Sequence, residues 1–224
     1  MEKVLAAETP RAGRRPLEIR HLGRMGYRQA TFLQAELVHQ RREDLIPDQL
    51  ILLQHPHVIT LGSSARDEHV LRPTDALGAL GIEVHATGRG GDVTYHGPGQ
   101  IVGYAILDLK PDRCDLHRYL RSLEEVLIRA LADFDLRAER KDGLTGAWVG
   151  ENKLGAIGVR VSSGWITSHG FALNVDPDLK KFETIVPCGI RDHGVGSIAR
   201  ELGRPMDVGP VETSIVTHFQ AVFG

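Results

Sequence analysis

The sequence predicts an α+β domain in the broad α/β class, built on a mixed sheet flanked by helices, on three observations. Strand-like apolar runs and stretches of helical period follow one another without regular alternation, which argues against a doubly wound parallel fold. The segment QIVGYAILDL at 100–109 is apolar on both faces, the pattern of a central strand covered on each side. The 224 residues, 42% hydrophobic and 25% charged, suffice for one sizeable core. No internal repeat or Pro/Ser-rich linker divides them.

Residues 1–16, MEKVLAAETPRAGRRP, are expected as a mobile tail ahead of a single domain over 17–224. Their one apolar run, VLAA, is too short for a signal-peptide core. Residues 26–43 read as a helix with Ala30, Leu33 and Leu37 on one face. LILLQH at 50–55 reads as a strand, which VITL at 58–61 is expected to prolong past Pro56. Residues 82–87 form a strand leading into a Gly-rich segment, and 100–109 follows as the central strand. The clearest helix begins near Asp115, a side chain suited to an N-cap, with Leu116, Tyr119, Leu120, Leu123, Leu127, Ala130, Leu131 and Phe134 recurring at helical spacing. KLGAIGVRV at 153–161, the turn SSG, and WITSHGFALNV through 175 predict a hairpin. Val195, Ile198, Ala199 and Leu202 predict a short helix starting near Gly196. Pro210 opens a last one with Ile215, Phe219, Val222 and Phe223 inward.

Composition narrows the function classes. A net charge of −2 gives no broad nucleic-acid surface. No stretch approaches the ~20 apolar residues that cross a bilayer, so a cytoplasmic protein without a membrane partner is expected. Cys114 and Cys188 form no C-x-x-C and are expected as reduced thiols. His55 and His57 flank a proline, but no Cys/His/carboxylate set has zinc spacing and no H-E-x-x-H is present; no metal is expected.

Three features carry chemistry. GRGGDVTYHGPGQIVGY at 88–104 fails as a dinucleotide loop, because Val93 stands where the third glycine belongs, and lacks the Gly-Lys-Ser/Thr of a phosphate loop. It remains either an ordinary Gly-rich connection or a close-approach loop presenting Arg89, Thr94, Tyr95 and His96. On the strand 153–161, period two puts Lys153 with Gly155, Ile157, Val159 and Val161, opposite Leu154, Ala156, Gly158 and Arg160. A lysine leading an apolar face suits acid–base work, but taken by itself a first-strand lysine more often marks a frayed, wet end. His169 shares a face with Phe171, Leu173 and Val175, and spacing alone makes it a satisfied core histidine. Cys188 sits in IVPCGI, where Pro187 fixes the backbone before it and Gly189 frees it after. A loop thiol beside a basic group suits a nucleophile, while by spacing alone a lone cysteine is more often inert than catalytic. Cys114, just ahead of a helix, has no such setting.

Together these residues closely resemble the lipoyl(octanoyl) transferase family of lipoate biosynthesis. The resemblance runs in order through HPHVITLG at 55–62, RGGDVTYHGPGQIVGY at 89–104, GLTGAWVG at 143–150, NKLGAIGVRV at 152–161, SHGFALNV at 168–175 and IVPCGI at 185–190. Gly196 departs from it, since many relatives have Thr there. The resemblance implies a biotin/lipoate protein ligase-like domain with Cys188 and Lys153 as the catalytic pair. Its substrate-binding positions fall on Arg89, Gly90, Gly91, Thr94, Tyr95, His96 and Gly97, on Gly155, Ala156, Ile157 and Gly158, and on His169, Gly170 and Ala172. It implies a monomer that moves octanoyl from acyl carrier protein to a lysine of the lipoyl domains of 2-oxoacid dehydrogenases or of a glycine cleavage H-type protein. The transfer would pass through a Cys188 thioester and need neither ATP nor a metal cofactor. Backbone amides near Lys153–Leu154 or Gly90–Gly91 are the expected oxyanion donors. Arg160 and the segment 137–141 either steer acidic carriers or are plain solvated charges. The rival readings are an ATP-dependent ligase on the same fold, which needs no nucleophilic cysteine, a non-catalytic acyl-binding module, and a cysteine hydrolase.

Overall fold

Strand β3 (Asp48–Gln54) sets the plan of the domain, because its alternate residues enter two different cores. Leu50 and Leu52 pack in the cluster that contains Leu123, Leu127, Ile215 and Phe219, while Ile51 and Leu53 pack with Ala30 and Leu37. A strand covered on both faces reads as a continuous apolar run. The structure is a computed structural model that describes residues 3–4, 15–189 and 193–224. Of the expected tail, residues 1–2 and 5–14 lie outside that description. β1 (Lys3–Val4) pairs antiparallel with β2 (Leu17–Arg24), and Arg15 donates to the Asp108 carbonyl at 2.6 Å.

The other strands follow from β3. β2 runs parallel to it, and β7 (Gln100–Ile106) runs antiparallel on its other side with every residue buried, the central strand expected over 100–109. β10 (Asn152–Val161) and β11 (Thr167–Asn174) form the expected hairpin, and β11 joins β7. β8 (Glu139–Lys141) and β9 (Leu144–Val149) add a second hairpin outside β10. With the short β12 (Gly194–Val195), parallel to the start of β10, the sheet counts nine strands among the described residues. One face is covered by α1 (Tyr27–Arg42). The other is covered by α3 (Leu116–Ala132) and α5 (Val208–Phe223).

VITL does not prolong β3. Pro56 interrupts the strand, and β4 (Val58–Leu61) leaves to form a separate sheet with β5 (Glu83–Ala86), parallel, and β6 (Val93–His96), antiparallel. β6 lies inside the Gly-rich segment, so that segment is a loop at 88–92, a strand, and a turn at 97–99. α2 (Thr74–Ala79) puts Leu77 under this sheet, beside Ile59, Val93, Tyr95 and Phe182.

Helix ends follow their capping chemistry. Asp115 accepts from the Arg118 N–H at 3.0 Å, which satisfies a first-turn donor. The helix expected near Gly196 is α4 (Ile198–Leu202), and its cap is Ser197, whose Oγ accepts from Arg200 N–H at 3.2 Å. α5 begins at Val208, two residues before Pro210, because a proline in the first turn gives up only an N–H that has no partner there.

Gly103 of β7 lies directly across from Phe171 of β11, and a Cβ there would collide with Phe171 Cζ. Overpacking of this kind costs about 1–3 kcal/mol. Gly103→Ala is therefore expected to lower the melting temperature, and Phe171→Leu in the same chain to recover part of the loss. Additive losses in the double variant would show that the ring does not take up the strain.

Candidate active site

The cavity opens where the regular alternation of β10 and β11 breaks. Between Lys153 and Gly155, β10 advances two residues while β9 advances one, from Trp148 to Ala147. Such a bulge turns consecutive side chains to unexpected faces. Leu154 joins Val159 in the core, and Lys153 leaves the face of Ile157, Val159 and Val161 to which period two assigned it. Its Nζ lies 5.2 Å from the Trp148 ring centroid and 3.5 Å from Cys188 Sγ. The bulge thus corrects the expected face and brings the lysine to the thiol.

Cys188 stands in a short 3-10 turn, Pro187–Gly189, at φ 56° and ψ 18°, a left-handed conformation unusual for a residue with a side chain. Cys188 is half-buried, whereas Cys114 is exposed with Sγ 3.5 Å from the Leu109 carbonyl. A cavity of about 410 Å³ extends from the Lys153–Cys188 pair. Gly90, Gly91, Asp92 and Thr94 line one side of it, and Ala156, Ile157, Gly158, Gly170 and Ala172 another.

Arg89 reaches this cavity from a buried position. It is 8% exposed; its Nη2 donates to Thr60 O at 2.7 Å and Oγ1 at 2.8 Å, and its Nη1 to Gly90 O at 3.0 Å. Burial lowers its pKa, but a guanidinium stays cationic at any working pH. Two glycines make room for it, since a Cβ on Gly62 would lie 2.6 Å from its Nη1 and one on Gly158 3.1 Å from its Cδ. Among the described residues no carboxylate pairs with it. It is a fixed positive charge facing the cavity, with the Asp92 carboxylate near enough to favour its charged form without a direct ion pair among the described residues.

His96 is the opposite case. It is 7% exposed, and burial lowers its pKa to about 3, helped by His55 and Arg89. Its tautomer follows from its neighbours. Asn174 Nδ2 donates to Gly196 O at 2.9 Å, so Asn174 Oδ1 accepts from Gln100 Nε2 at 2.9 Å. Gln100 Nε2 also donates to Tyr95 O, so Gln100 Oε1 faces His96 Nδ1 at 2.7 Å and must accept from it. The neutral ring therefore keeps a bare acceptor at Nε2. His55 is likewise neutral, its pKa lowered to about 4 by burial, with Nδ1 donating to Met25 O at 2.7 Å and Nε2 accepting from the Tyr104 hydroxyl at 2.7 Å.

His169 does not share the core face of Phe171. Its φ of 59° breaks the alternation of β11 and turns the ring to Tyr104, 6.2 Å away edge-on, while its N–H donates to Gln34 Oε1 at 2.8 Å. Burial, then Arg89 and Arg160, lower its pKa to about 4.

Three expected site residues lie off the cavity. The Tyr95 hydroxyl bonds His57 Nδ1 at 2.6 Å, its ring buried beside Phe182 in the small-sheet core. Gly97 packs against that hydroxyl, and Gly155 packs against Leu127 and Ala147 under α3. The Gly90 N–H is also withdrawn from the candidate oxyanion donors, because it donates to Val159 O at 2.8 Å. Arg140 of segment 137–141 is committed to Glu124 and Glu125, while Arg160 is exposed over Gly88.

Several lining residues were not singled out in the sequence. Tyr27 opens the helix read over 26–43 without being named on its apolar face, and Tyr104 is a lone aromatic in the strand read as central. Leu116 and Leu120 lie on the amphipathic face of α3, though Leu116, 43% exposed, is an apolar residue left at a helix start. Asp92 stood in view within the Gly-rich loop. Among the described residues no group of three His, Cys, Asp or Glu side chains is arranged to hold a metal, and no helix is long and apolar enough to cross a membrane.

Residues 26–220 match the family model described as the lipoyl protein ligase A/B catalytic domain. The chain is 53% identical over 213 residues to an octanoyltransferase of Rubrobacter xylanophilus, covering 94% of this chain and 96% of that one. It is 47% identical over 211 residues to an octanoyltransferase of Chloroflexus aggregans, covering 93% and 96%. Among solved structures it is similar to lipoate-protein ligase A bound with ATP, with a TM-score of 0.70 and 14% identity over 93% of this chain and 85% of that one. The bipartite lipoate protein ligase of Thermoplasma acidophilum gives a TM-score of 0.68 and 16% identity over 90% and 82%. These two likenesses are of fold, that of a mixed sheet flanked by helices.

Buried neutral histidines make stability depend on pH. In the unfolded chain a histidine titrates near 6.5, and in the folded chain His55 and His96 titrate near 4 and 3. Between those values the unfolded state binds more protons, so stability falls as pH drops below 6.5. At pH 5 each of the two costs about 2 kcal/mol relative to neutral pH. His96→Asn, which keeps a donor at the Nδ1 position and does not titrate, is expected to flatten this acid limb in thermal melts from pH 7 to 5. An unchanged slope would mean that His96 binds its proton in the fold as readily as in the unfolded chain.

Proposed function

The chain belongs to the lipoyl protein ligase A/B catalytic-domain family, and from that premise we propose that it transfers octanoyl from acyl carrier protein to a lysine of a lipoyl domain through a thioester on Cys188. The observation that carries this reading is the 3.5 Å approach of Lys153 Nζ to Cys188 Sγ at the mouth of a largely apolar-walled cavity.

The chemistry is a pair of acyl exchanges. Cys188 Sγ attacks the donor thioester as Lys153 takes the thiol proton, and Lys153 returns a proton to the departing pantetheine sulfur. One thioester replaces another, so little free energy is needed and no ATP enters. The acceptor lysine then attacks the acyl-enzyme. Lys153 takes a proton from that amine, and Cys188 leaves as the tetrahedral intermediate collapses to an amide. Arg89 places a fixed positive charge at the cavity, which favours the negative charge that develops in both steps. Neutral His96 and His169 add no charge that would hold an anionic ground state.

The acyl tail occupies the apolar end of the cavity, beside Leu116, Leu120, Leu144, Ile157 and Phe171. Six methylenes buried there contribute up to ~5 kcal/mol, at about 0.8 kcal/mol each. The substrates are the carrier protein and lipoyl domains, such as those of 2-oxoacid dehydrogenases, met by a monomer in the cytoplasm.

Intact-protein mass spectrometry tests the scheme. The chain is mixed with octanoyl carrier protein without ATP, beside Cys188→Ser and Lys153→Ala. Wild type is expected to gain one octanoyl, Cys188→Ser none, and Lys153→Ala to acylate at least about 100-fold more slowly, as for loss of a general acid–base group. The adduct should discharge onto a lipoyl domain. No adduct from an active donor, with transfer of free octanoate only when ATP is added, would replace this reading by the ligase one.

A further inference from the structure

The loop that carries the nucleophile is held from one side by two residues that the transfer scheme leaves unused. Asp92 ends the Gly-rich loop 88–92 and lines the cavity with Cys188. Its Oδ2 accepts from His69 Nδ1 at 2.6 Å, and its Oδ1 from the Val93 N–H at 2.7 Å. Its own carbonyl accepts from Gly62 N–H at 3.3 Å. The carboxylate is thereby fixed by two donors of known direction.

His69, 8% exposed, closes a 3-10 turn at Asp67–His69, and the chain then runs beside the approach to Cys188. Val70 bridges Ile185, Leu71 N–H donates to Thr184 O at 2.9 Å, and Val186 N–H donates to His69 O at 2.8 Å. On the far side of the cysteine, Gly189 lies flat against the pair. A Cβ at Gly189 would stand 2.7 Å from Asp92 Oδ2 and 3.0 Å from His69 Cε1. His69 thus fixes Val186 through its backbone and, with Asp92, Gly189 through its ring. Cys188 is caught between these two supports in its left-handed conformation. Such a conformation costs on the order of 1–3 kcal/mol and persists only where the surroundings over-determine it.

We infer that the Asp92–His69 pair is a positioning element that holds the Pro187–Gly189 turn so that Cys188 Sγ stays within reach of Lys153 Nζ. Neither side chain takes or gives a proton in the reaction. This role rests on Cys188 being the nucleophile of the transfer proposed above. It separates the support of the thiol, borne by the Gly-rich loop and the 67–69 turn, from the support of the lysine, borne by the sheet.

The test uses the full chain in four single variants and one double variant. His69→Leu and Asp92→Ala remove the hydrogen bond, and His69→Asn keeps a donor at the Nδ1 position. Gly189→Ala leaves the pair intact but intrudes on it. Turnover with octanoyl carrier protein and a lipoyl domain is read beside the rate of Cys188 alkylation by iodoacetamide and the melting temperature. Displacing a reacting group by about 1 Å costs about 100-fold in rate. The expected result is a 10- to 100-fold fall in kcat for His69→Leu, Asp92→Ala and Gly189→Ala, on the order of such a displacement, with KM little changed. The His69→Leu/Asp92→Ala double variant should be no worse than either single one, and His69→Asn should recover most of the rate. Alkylation should fall in the same order. Wild-type turnover in a folded His69→Leu, or a His69→Asn as slow as His69→Leu, overturns the inference. Should His69→Leu melt at the assay temperature, Gly189→Ala decides, and full activity there overturns it equally. A wild type that is alkylated at Cys188 yet never acylated would sink the transferase reading, while the alkylation series still decides this one.

Discussion

One extra residue in β10 sets the geometry on which the site depends. Without the bulge between Lys153 and Gly155, strict alternation would bury the lysine among Ile157, Val159 and Val161 against α3. An ammonium there would pay a desolvation cost with no partner. With the bulge, Leu154 takes the core position and the amine emerges over Trp148 beside the thiol. The neighbouring hairpin is fixed by the same region. Fully buried Glu124 of α3, bound by Arg121 and Arg140, accepts from the Gly146 N–H at 3.0 Å, and Gly146 at φ 142° lies against Lys153 Cε. The amine therefore inherits the rigidity of the sheet and of α3 together.

The Arg89 guanidinium and the Asp92 carboxylate, which His69 and the Val93 N–H hold, both line the cavity. Arg89 is a cation without a carboxylate partner among the described residues, while His55, His96 and His169 are held neutral by burial. In a desolvated space a fixed cation acts at full strength on charge that develops beside it and needs no reorganisation. The neutral histidines serve it by adding hydrogen-bonding capacity without charge. In His96 the donor is consumed by Gln100, and the acceptor Nε2 remains for a partner that arrives with protons.

Much of the fold was legible because burial writes itself into period. β7, covered on both faces, is apolar throughout, and α3 shows its stripe and its Asp115 cap. β4 was misassigned because a short apolar run says that a strand exists and not which sheet it joins. The β8–β9 hairpin was not read from the sequence, although Asp142–Gly143 at its turn, with Gly143 at φ 75°, is a signal that could have found it. α2, six residues long, is too short to show a period. In the site, the sequence singled out Cys188, Lys153, Arg89 and His96, but it misplaced Lys153 and His169 on their strands. Both errors have one cause: a bulge and a left-handed residue change which face a side chain meets, and neither leaves a mark in residue type. Tyr95 went wrong for the complementary reason. Its place beside His96 in the signature suggested the cavity, but successive residues of β6 face opposite ways, so His96 reaches the cavity and Tyr95 the small-sheet core.

The two partners of the central contact are supported differently, and the chemistry gives a reason for the difference. In the transfer scheme the lysine handles a proton in both half-reactions, at nearly the same point in space, so a strand inside a sheet is a fitting mount. In the same scheme the cysteine accepts an acyl group from one bulky carrier and surrenders it to another. Its sulfur becomes a thioester in between, with a planar carbonyl and a tail to accommodate. A nucleophile in the middle of a strand could not move by even a few tenths of an ångström without disturbing its ladder. A nucleophile on a three-residue turn pinned at Val186 and Gly189 can, because among the described residues the backbone hydrogen bonds that hold it lie on either side and not at Cys188 itself. Fold alone does not choose this chemistry. The choice lies in a thiol on a tethered turn facing an amine on a fixed strand.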